Sequence, residues 1–250
     1  MAEGYDSGFT ESAVGTLMRR AVWRRTDAVW GPGDRVLELN CGTGEDAVHL
    51  ARRGVRVVAT DVSEAMLERA RAKVAAAGVE HLVEVRRMAI EELGGGTAAA
   101  AFDGALSNFG GLNCVADLAP MARALASCLR PGGMAALCLM GPFVPWEWVW
   151  FLGRGRLGEA FRRLRPGGAR WRGLTIRYPS IRAARRALAP AFRLRRAAAV
   201  GALLPPTYAE GWARAHPRWL ARLDRWERRC ETWPPLPWLA DHYLLELERR

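Results

Sequence analysis

Short apolar runs alternate with segments of helical periodicity along the first 140 residues of this 250-residue chain. Strands are predicted for five apolar runs, at residues 35–39, 55–61, 82–85, 102–107 and 134–140. Helices are predicted at residues 8–30, 45–53, 64–77 and 118–129, with Ser63 as an N-cap and Gly78 as a terminator. Strands that alternate with helices at this spacing predict a parallel sheet covered by helices on both faces.

The pattern changes after Met140. Residues 142–152 are apolar and aromatic, and their tryptophans allow two interpretations. Trp146, Trp148 and Trp150 alternate as in a strand, whereas Trp146 and Trp150 also share one face of a helix. We interpret these rings first as packing between a cap and the sheet, with an aromatic wall for an acceptor as the functional alternative.

Further elements are predicted in the last third of the chain. These are a short strand at 171–178, a helix at 180–189 with Ser180 as its N-cap, and a strand at 192–200. Pro217 opens a helix whose apolar side is formed by Trp219, Leu223, Trp226 and Cys230. Residues 242–247 alternate like a final strand, which is expected to close the edge of the sheet.

Charge divides the chain into two chemically distinct parts. The net charge is +11, but residues 1–140 carry −2 and residues 141–250 carry +13, almost all of it arginine. Nine of the eleven tryptophans lie in the second part. We therefore expect a cofactor-binding core over residues 1–141. Cap segments and the last strands of the sheet would occupy residues 142–250, in one integrated domain.

The cysteines and the hydropathy of the chain indicate the cellular compartment of the protein. The five cysteines lack the spacing of a metal site, so reduced thiols and no metal are expected. The N-terminus has no basic region followed by an apolar core, which argues against a signal peptide. No apolar run approaches the roughly 20 residues of a membrane span. These features predict a cytoplasmic protein.

A glycine-rich turn follows the first predicted strand. Glu38 lies inside that strand, Asn40-Cys41-Gly42-Thr43-Gly44 forms the turn, and Asp61 ends the second strand. Glycine permits close approach of the backbone to a ligand, and an acid at the second strand end is suited to a ribose diol. A nucleoside cofactor is the first inference. Gly42, Gly44 and Ala47 also fit the spacing of a dinucleotide fold, so a nicotinamide enzyme stays an alternative.

Two later motifs narrow the choice of cofactor. Phe102-Asp103 leads to Ser107-Asn108-Phe109-Gly110 at the end of the fourth strand, and Leu129-Arg130-Pro131-Gly132-Gly133 precedes the fifth. With the glycine-rich turn, these motifs resemble those of the class I S-adenosylmethionine-dependent methyltransferases over residues 34–140. The resemblance implies a Rossmann-like, mostly parallel sheet of seven strands with the last strand antiparallel. It also implies S-adenosyl-L-methionine as the cofactor of a methyltransferase.

The resemblance assigns roles to matching positions. Glu38 would lie near the methionine amine, and residues 39–44 would wrap the amino-acid end of the cofactor. Asp61 would bind the ribose hydroxyls. The remaining positions would contact the cofactor as a group: Tyr5, Leu39, Asn40, Cys41, Gly42, Gly44, Val62, Met66, Ala89, Ile90, Ser107 and Asn108.

Two positions depart from the family pattern. Asn40 replaces a glycine of the E-x-G-x-G-x-G motif, a change that a small polar residue should tolerate. Ala89 occupies the place where relatives often carry an aspartate facing the adenine amino group. Ala89 and Ile90 would then contact adenine only through backbone or apolar surface. Ser107 and Asn108 would line the region of methyl transfer, and Val62 and Met66 would flank the adenine.

The acceptor is left open by the sequence. We favour a small acidic or apolar metabolite, methylated mainly by proximity and orientation. Candidate bases are Tyr178, His216, His242, Glu147 and Asn113. The alternatives are an RNA methyltransferase that uses the basic, tryptophan-rich part and a cofactor-binding protein without transferase activity. Arginines beside aromatic rings would also suit a peripheral membrane contact. Nothing in the sequence predicts the oligomeric state.

Overall fold

A computed structural model describes residues 10–94, 100–171 and 173–250. Its main sheet has seven strands in the order β3-β2-β1-β4-β5-β9-β8, and β6 and β7 form a separate two-stranded hairpin. The strands are β1 (Arg35–Leu39), β2 (Arg56–Asp61), β3 (Val83–Arg87), β4 (Phe102–Ser107), β5 (Leu129–Met140), β6 (Ala169–Trp171), β7 (Leu174–Ile176), β8 (Phe192–Val200) and β9 (His242–Arg249). Neighbours from β3 to β5 are parallel, and β9 runs antiparallel to both β5 and β8. The predicted fold class is therefore confirmed.

Helices pack on both faces of the sheet. The α-helices are α1 (Ala13–Thr26), α2 (Glu45–Arg52), α3 (Glu64–Ala77), α4 (Leu118–Cys128), α5 (Pro145–Leu152), α6 (Leu157–Ala160), α7 (Ile181–Leu188), α8 (Glu210–Ala215), α9 (Pro217–Cys230) and α10 (Leu236–Leu239). One hydrophobic cluster joins α1, α2 and α3 to the sheet and includes residues of α8 and α9. A second cluster joins α4 and α7 to the opposite face. The central strands β1 and β4 are thus buried between two helical layers.

The last strand lies at a different position from the one predicted. Residues 242–247 were expected to close the sheet edge, but β9 sits between β5 and β8, and β8 forms the edge. Tyr243, Leu244 and Leu245 are all buried, so both faces of β9 are covered. Its place inside the sheet follows from its pairing with β5 on one side and β8 on the other.

Two local elements also differ from the prediction. The Pro131–Gly133 turn is a bulge within β5, where the pairing with β4 shifts between Phe102 and Gly104. The single strand predicted at 171–178 is a hairpin that turns at Gly173, whose φ is +84°. Gly173 has the conformational freedom that this turn requires.

The buried side of α9 is not its apolar, tryptophan-bearing side. Trp219 and Trp226 are 52% and 55% exposed, whereas Leu220, Asp224 and Glu227 are buried. Glu227 accepts hydrogen bonds from the backbone N–H groups of Gly201 and Leu203, both at 2.7 Å. The polar anchor fixes the orientation of the helix and turns the indole rings outward.

The segment after β5 is helical, which decides between the two interpretations of its tryptophans. Trp146, Trp148 and Trp150 lie on α5, a single short helix that begins at Pro145. The part of the chain that the structure describes contains no helix with both the length and the apolar character needed to cross a bilayer.

Candidate functional site

The carboxyl ends of β1, β2 and β4 meet at one edge of the sheet. Leu39 pairs with Thr60 on one side and with Ser107 on the other, and the backbone N–H of Cys41 donates to Thr60 O at 2.9 Å. The turn after β1 uses left-handed backbone at Asn40 (φ +55°) and Gly44 (φ +78°). These contacts place the predicted turn at the strand ends, where ligands of open α/β sheets bind.

Asn40 is compatible with the turn for a conformational reason. Asparagine tolerates the left-handed region better than most side chains, so it can stand where relatives carry glycine. Its side chain occupies space left by Gly111, because a Cβ on Gly111 would meet Asn40 Nδ2 at 2.1 Å. The Asn40 side chain can therefore take this position only because residue 111 is glycine.

Asp61 holds the turn and the next helix together. One carboxylate oxygen accepts the N–H of Gly42 at 3.0 Å, and the other accepts the N–H of Ser63 at 2.9 Å. Ser63 occupies the predicted N-cap position of α3, but its side chain makes no capping bond. A carboxylate has about four acceptor positions, so Asp61 keeps capacity for a ribose diol.

Glu38 is a fully enclosed acid in the middle of the site. It is 1% exposed, and burial raises the pKa of its carboxyl well above the usual range. The negative charges of Asp46 and Asp61 add to this increase, and Arg19 opposes it. Glu38 Oε2 has no hydrogen-bond partner among the described residues. A cationic ligand group would stabilise its ionised form.

Two further buried polar atoms lie at the same edge without a partner in the described part of the chain. They are Asn40 Nδ2, at the end of β1, and Ser107 Oγ, at the end of β4. Buried polar groups are nearly always hydrogen-bonded, so a cluster of exceptions points to a missing partner. The residues present therefore fit a polar ligand such as the amino-acid end of S-adenosyl-L-methionine.

The sequence reasoning missed a second buried acid, Asp46, in the first turn of α2. Its carboxylate accepts hydrogen bonds from Arg19 Nη1 at 2.5 Å, Trp23 Nε1 at 2.6 Å and Asn108 Nδ2 at 3.1 Å. Arg19 and Trp23 belong to α1. Asp46 thus ties α1 to the loop after β4, beside the glycine-rich turn. In the sequence, the position of Asp46 at the start of a helix indicates only a favourable interaction with the helix dipole.

The opposite end of the predicted cofactor site is apolar. Val62 directly follows Asp61 and is 57% exposed, and Met66, Ala89 and Ile90 are partly buried. The N–H of Met88 donates to Asp61 O at 3.1 Å, which brings the segment after β3 beside Asp61. The apolar surface around an adenine ring stays a prediction. Tyr5 lies outside the described residues.

Cys41 is a poor nucleophile despite its place in the turn. Burial raises the pKa of its thiol, and the carboxylates of Glu38 and Asp61 raise it further. The thiol is therefore neutral, and its small size is the property that the turn uses. All five cysteines are free, and the described residues contain no cluster of His, Cys, Asp or Glu side chains suited to a metal ion.

Two of the candidate bases are engaged in other contacts. The Asn113 amide donates to the backbone oxygens of Met140 and Arg177 and accepts the N–H of Met140, which joins β5 to the segment after β7. Glu147 is 1% exposed and ion-paired with Arg162 and Arg163. These bonds give each side chain a structural task, and a role in proton transfer stays an untested prediction.

The remaining candidates occupy different surroundings. His216 lies at the start of α9, where its Nδ1 is 2.9 Å from Trp212 O and its ring stacks on Trp212. Tyr178 lies under the guanidinium of Arg163, with 5.2 Å to the ring centroid. His242 opens β9 opposite Met140, at the carboxyl end of β5, and its ring meets Phe109 edge-on at 5.3 Å.

A cavity of about 300 Å³ lies beyond the end of β4. Leu112, Val115 and Leu118 form its apolar wall, and Arg165, Arg177 and Tyr178 contribute polar groups. A larger cavity of about 800 Å³ lies at the opposite edge of the sheet, between the start of β8 and the end of β9. We associate the smaller cavity with the candidate site, because the loop after β4 forms one of its walls.

Comparison with known proteins agrees with this geometry. Residues 36–133 match the family model of a methyltransferase domain. A demethylmenaquinone methyltransferase of Mycobacterium marinum is 34% identical over 141 residues, which cover 55% of this chain and 55% of that protein. The tRNA 5-carboxymethoxyuridine methyltransferase of Escherichia coli is 28% identical over 141 residues, covering 55% and 53%. The chain therefore spans about half the length of the curated relatives it matches.

Solved structures show the same architecture. An S-adenosylmethionine-dependent methyltransferase of Mesorhizobium loti superposes with a TM-score of 0.59 at 22% identity, covering 94% of this chain and 100% of that one. The matched residues 36–133, the strand order and the strand-end turn show a methyltransferase domain on the Rossmann-like fold of S-adenosylmethionine-dependent methyltransferases. S-adenosyl-L-methionine is the cofactor that these comparisons indicate.

Proposed function

We propose that this protein transfers the methyl group of S-adenosyl-L-methionine to a small-molecule acceptor. The observation that carries the proposal is the set of unpartnered buried atoms at one strand edge, Glu38 Oε2, Asn40 Nδ2 and Ser107 Oγ. Bound there, the cofactor supplies an electrophilic methyl group on a positively charged sulfur. Because this methyl group is already reactive, the main tasks of the protein are to orient the two reactants and to exclude water.

The residues divide these tasks among themselves. Glu38 would bind the ammonium group of the cofactor and become ionised as it does so. Asp61 would accept the ribose hydroxyls while it keeps the turn closed through Gly42. Asp46 would hold α1 over the site through Arg19, which shields the reacting atoms from water.

The cavity beyond β4 supports a small acceptor with apolar and anionic parts. Its volume of about 300 Å³ is suited to a small ligand. Leu112 and Leu118 offer apolar contact, and the guanidinium groups of Arg165 and Arg177 form no ion pair with a carboxylate in the described residues. The demethylmenaquinone methyltransferase among the relatives agrees with an acceptor of aromatic or apolar character.

His242 lies outside the lining of this cavity but is linked to its wall through Asp241, which pairs with Arg163. We propose His242 as the base for an acceptor hydroxyl that reaches the carboxyl end of β5. Asp241 Oδ2 lies 3.1 Å from His242 Nδ1. Burial alone would raise the pKa of Asp241, but Arg163 and His242 lower it overall, so the carboxylate stays ionised. An ionised Asp241 favours the proton on Nδ1 and leaves Nε2 to accept the acceptor's proton as the methyl–oxygen bond forms.

The cofactor assignment is tested by calorimetric titration with S-adenosylmethionine and its demethylated product. Both should bind, and Asp61→Ala should weaken binding by at least about tenfold, because it removes a ribose partner and an anchor of the turn. Glu64→Ala is the matched control, since Glu64 is an exposed acid three residues away that pairs with Arg71. Preferential binding of NAD would refute the proposal.

The acceptor is identified by metabolite profiling with a labelled methyl donor, with and without the enzyme. A labelled product of low molecular mass supports the proposal, and His242→Asn should then lower kcat without changing cofactor affinity. Label in RNA would instead support the alternative suggested by the relative that acts on tRNA and by the charge of +13 on residues 141–250. Parallel reactions with ribonuclease separate the two outcomes.

A further inference from the structure

Helix α5 has its polar and apolar sides reversed relative to an ordinary surface helix. Its one charged residue, Glu147, is 1% exposed, whereas Val149 is 67% and Leu152 is 42% exposed. Surface helices normally bury their apolar stripe and expose their charges. The ion pairs of Glu147 with Arg162 and Arg163 hold the helix in this orientation. The outward face of α5 is therefore apolar because these ion pairs turn its one charged residue inward.

The apolar surface extends beyond α5. Phe143 meets Trp148 at 6.4 Å between ring centroids, and Trp148 meets Phe161 at 6.1 Å. We call the exposed apolar residues of this segment the cap surface: Phe143, Val149, Leu152, Leu157, Phe161 and Leu164. The following hairpin adds Trp171 and Leu174, which are 53% and 40% exposed. A solvent-facing group of this kind marks an interaction site.

Arginines border the cap surface, and free acids are missing from it. Residues 142–179 contain eight arginines but only two acids, Glu147 and Glu159. Both acids are ion-paired, Glu147 internally and Glu159 with Arg156. Arg154, Arg165 and Arg170 are exposed, and the guanidinium of Arg154 lies 3.5 Å from the centroid of the Trp150 ring. Long basic side chains beside aromatic rings match the interface of an anionic bilayer.

The chemistry of the cap surface distinguishes between possible partners. A second copy of this chain in a symmetric contact would bring two arginine-rich borders together, and like charges repel. Single-stranded RNA needs rings for base stacking, but only two of the six cap-surface residues, Phe143 and Phe161, are aromatic, and the most exposed ones are aliphatic. An anionic lipid surface matches both the apolar residues and the bordering arginines. The apolar side chains enter the acyl boundary, and the arginines contact the headgroups.

We propose that the cap surface binds the surface of an anionic lipid bilayer. The full-length protein should be sedimented with vesicles of phosphatidylcholine alone and with vesicles that also contain phosphatidylglycerol. We expect binding that depends on phosphatidylglycerol and weakens as salt is raised. Val149→Ser with Leu152→Ser should reduce the bound fraction at least about tenfold, since it removes apolar contact with the acyl boundary.

Trp219→Ser is the matched control, because Trp219 is a comparably exposed aromatic residue on α9, outside the cap surface. It should bind vesicles like the wild type. Cofactor affinity and thermal unfolding of the serine variant verify its fold, and a charge reversal at Arg154 and Arg170 provides a second test should that variant misfold. The reversal should abolish the dependence on phosphatidylglycerol.

Several results would overturn the inference. These are an absence of vesicle binding by the wild type, equal losses in the control and the double variant, or binding that does not depend on anionic lipid. A dimer in light scattering that the serine variant loses would identify a second copy as the partner. Co-purifying RNA that the same variant loses would identify nucleic acid. None of these readouts requires methyl transfer, so the inference and the proposed function fail separately.

Discussion

The buried contact between Arg19 and Asp46 gives a sharp test of how α1 is held over the candidate site. Their side chains are 7% and 4% exposed, and the two charged atoms are 2.5 Å apart. Removing one partner of a buried ion pair typically costs about 3–5 kcal/mol, because the other charge stays buried without compensation. We therefore expect Arg19→Met and Asp46→Leu each to lower the free energy of unfolding within that range.

The two variants should differ in a defined direction. After Arg19→Met, Asp46 still accepts hydrogen bonds from Trp23 at 2.6 Å and Asn108 at 3.1 Å, so the loss should lie near about 3 kcal/mol. Asp46→Leu leaves Arg19, Trp23 and Asn108 without that acceptor, so its loss should approach about 5 kcal/mol. The double variant replaces the pair with apolar groups. It should therefore be at least about 2 kcal/mol more stable than the sum of the single losses predicts.

Urea unfolding followed by circular dichroism measures all four proteins of this cycle. Arg71→Met is the control, because Arg71 and Glu64 form a pair with side chains 46% and 51% exposed, and its loss should stay below about 1 kcal/mol. Additive losses within about 0.5 kcal/mol would refute the coupling. Cofactor affinity supplies the functional readout. It should stay weakened in the double variant, since Asn108 remains without its acceptor.

Three further predictions concern individual contacts. Gly111→Ala should lower both cofactor affinity and unfolding free energy, because its Cβ would meet Asn40 Nδ2 at 2.1 Å. Asn40→Gly in the same chain removes the clash and should restore the unfolding free energy in urea unfolding. Glu38→Gln should raise the unfolding free energy at neutral pH but weaken cofactor binding, since the raised pKa of Glu38 makes its ionised form destabilising as pH increases. Asp241→Asn should flatten the fall of Tm below about pH 4, because the lowered pKa of Asp241 contributes stability that is lost as pH falls through that range.

The core of the fold could be predicted because its signals are local. β4 and β8 coincide with their predicted bounds, and α3 ends at Gly78 as its sequence indicates. An apolar run between polar turns specifies a buried strand without reference to any distant residue. The turn at Asn40–Gly44 could be predicted for the same reason, since glycines and a terminal acid follow one another directly in the chain.

The missed features depend on contacts between distant segments. Arg19 and Asp46 are 27 positions apart, and no periodicity links them. The orientation of α9 is set by bonds from Glu227 to a backbone bend 26 residues earlier, which outweigh the apolar stripe of its tryptophans. The place of β9 inside the sheet likewise follows from its pairing with two other strands. Side-chain periodicity carries no information about such partners.

Two buried acids show why partners decide function. Glu38 and Glu147 are both 1% exposed and both lie in apolar stretches of the sequence, so burial alone would assign them the same role. Glu147 is neutralised by Arg162 and Arg163, and its charge is used to hold the reversed helix α5 in place. Glu38 Oε2 has no such partner among the described residues, and the pKa of Glu38 is raised. A buried acid whose ionisation is opposed by its surroundings becomes a binding group for a cation that arrives from outside. Glu147→Gln should therefore disturb the cap and lipid binding, whereas Glu38→Gln should weaken cofactor binding and leave lipid binding unchanged.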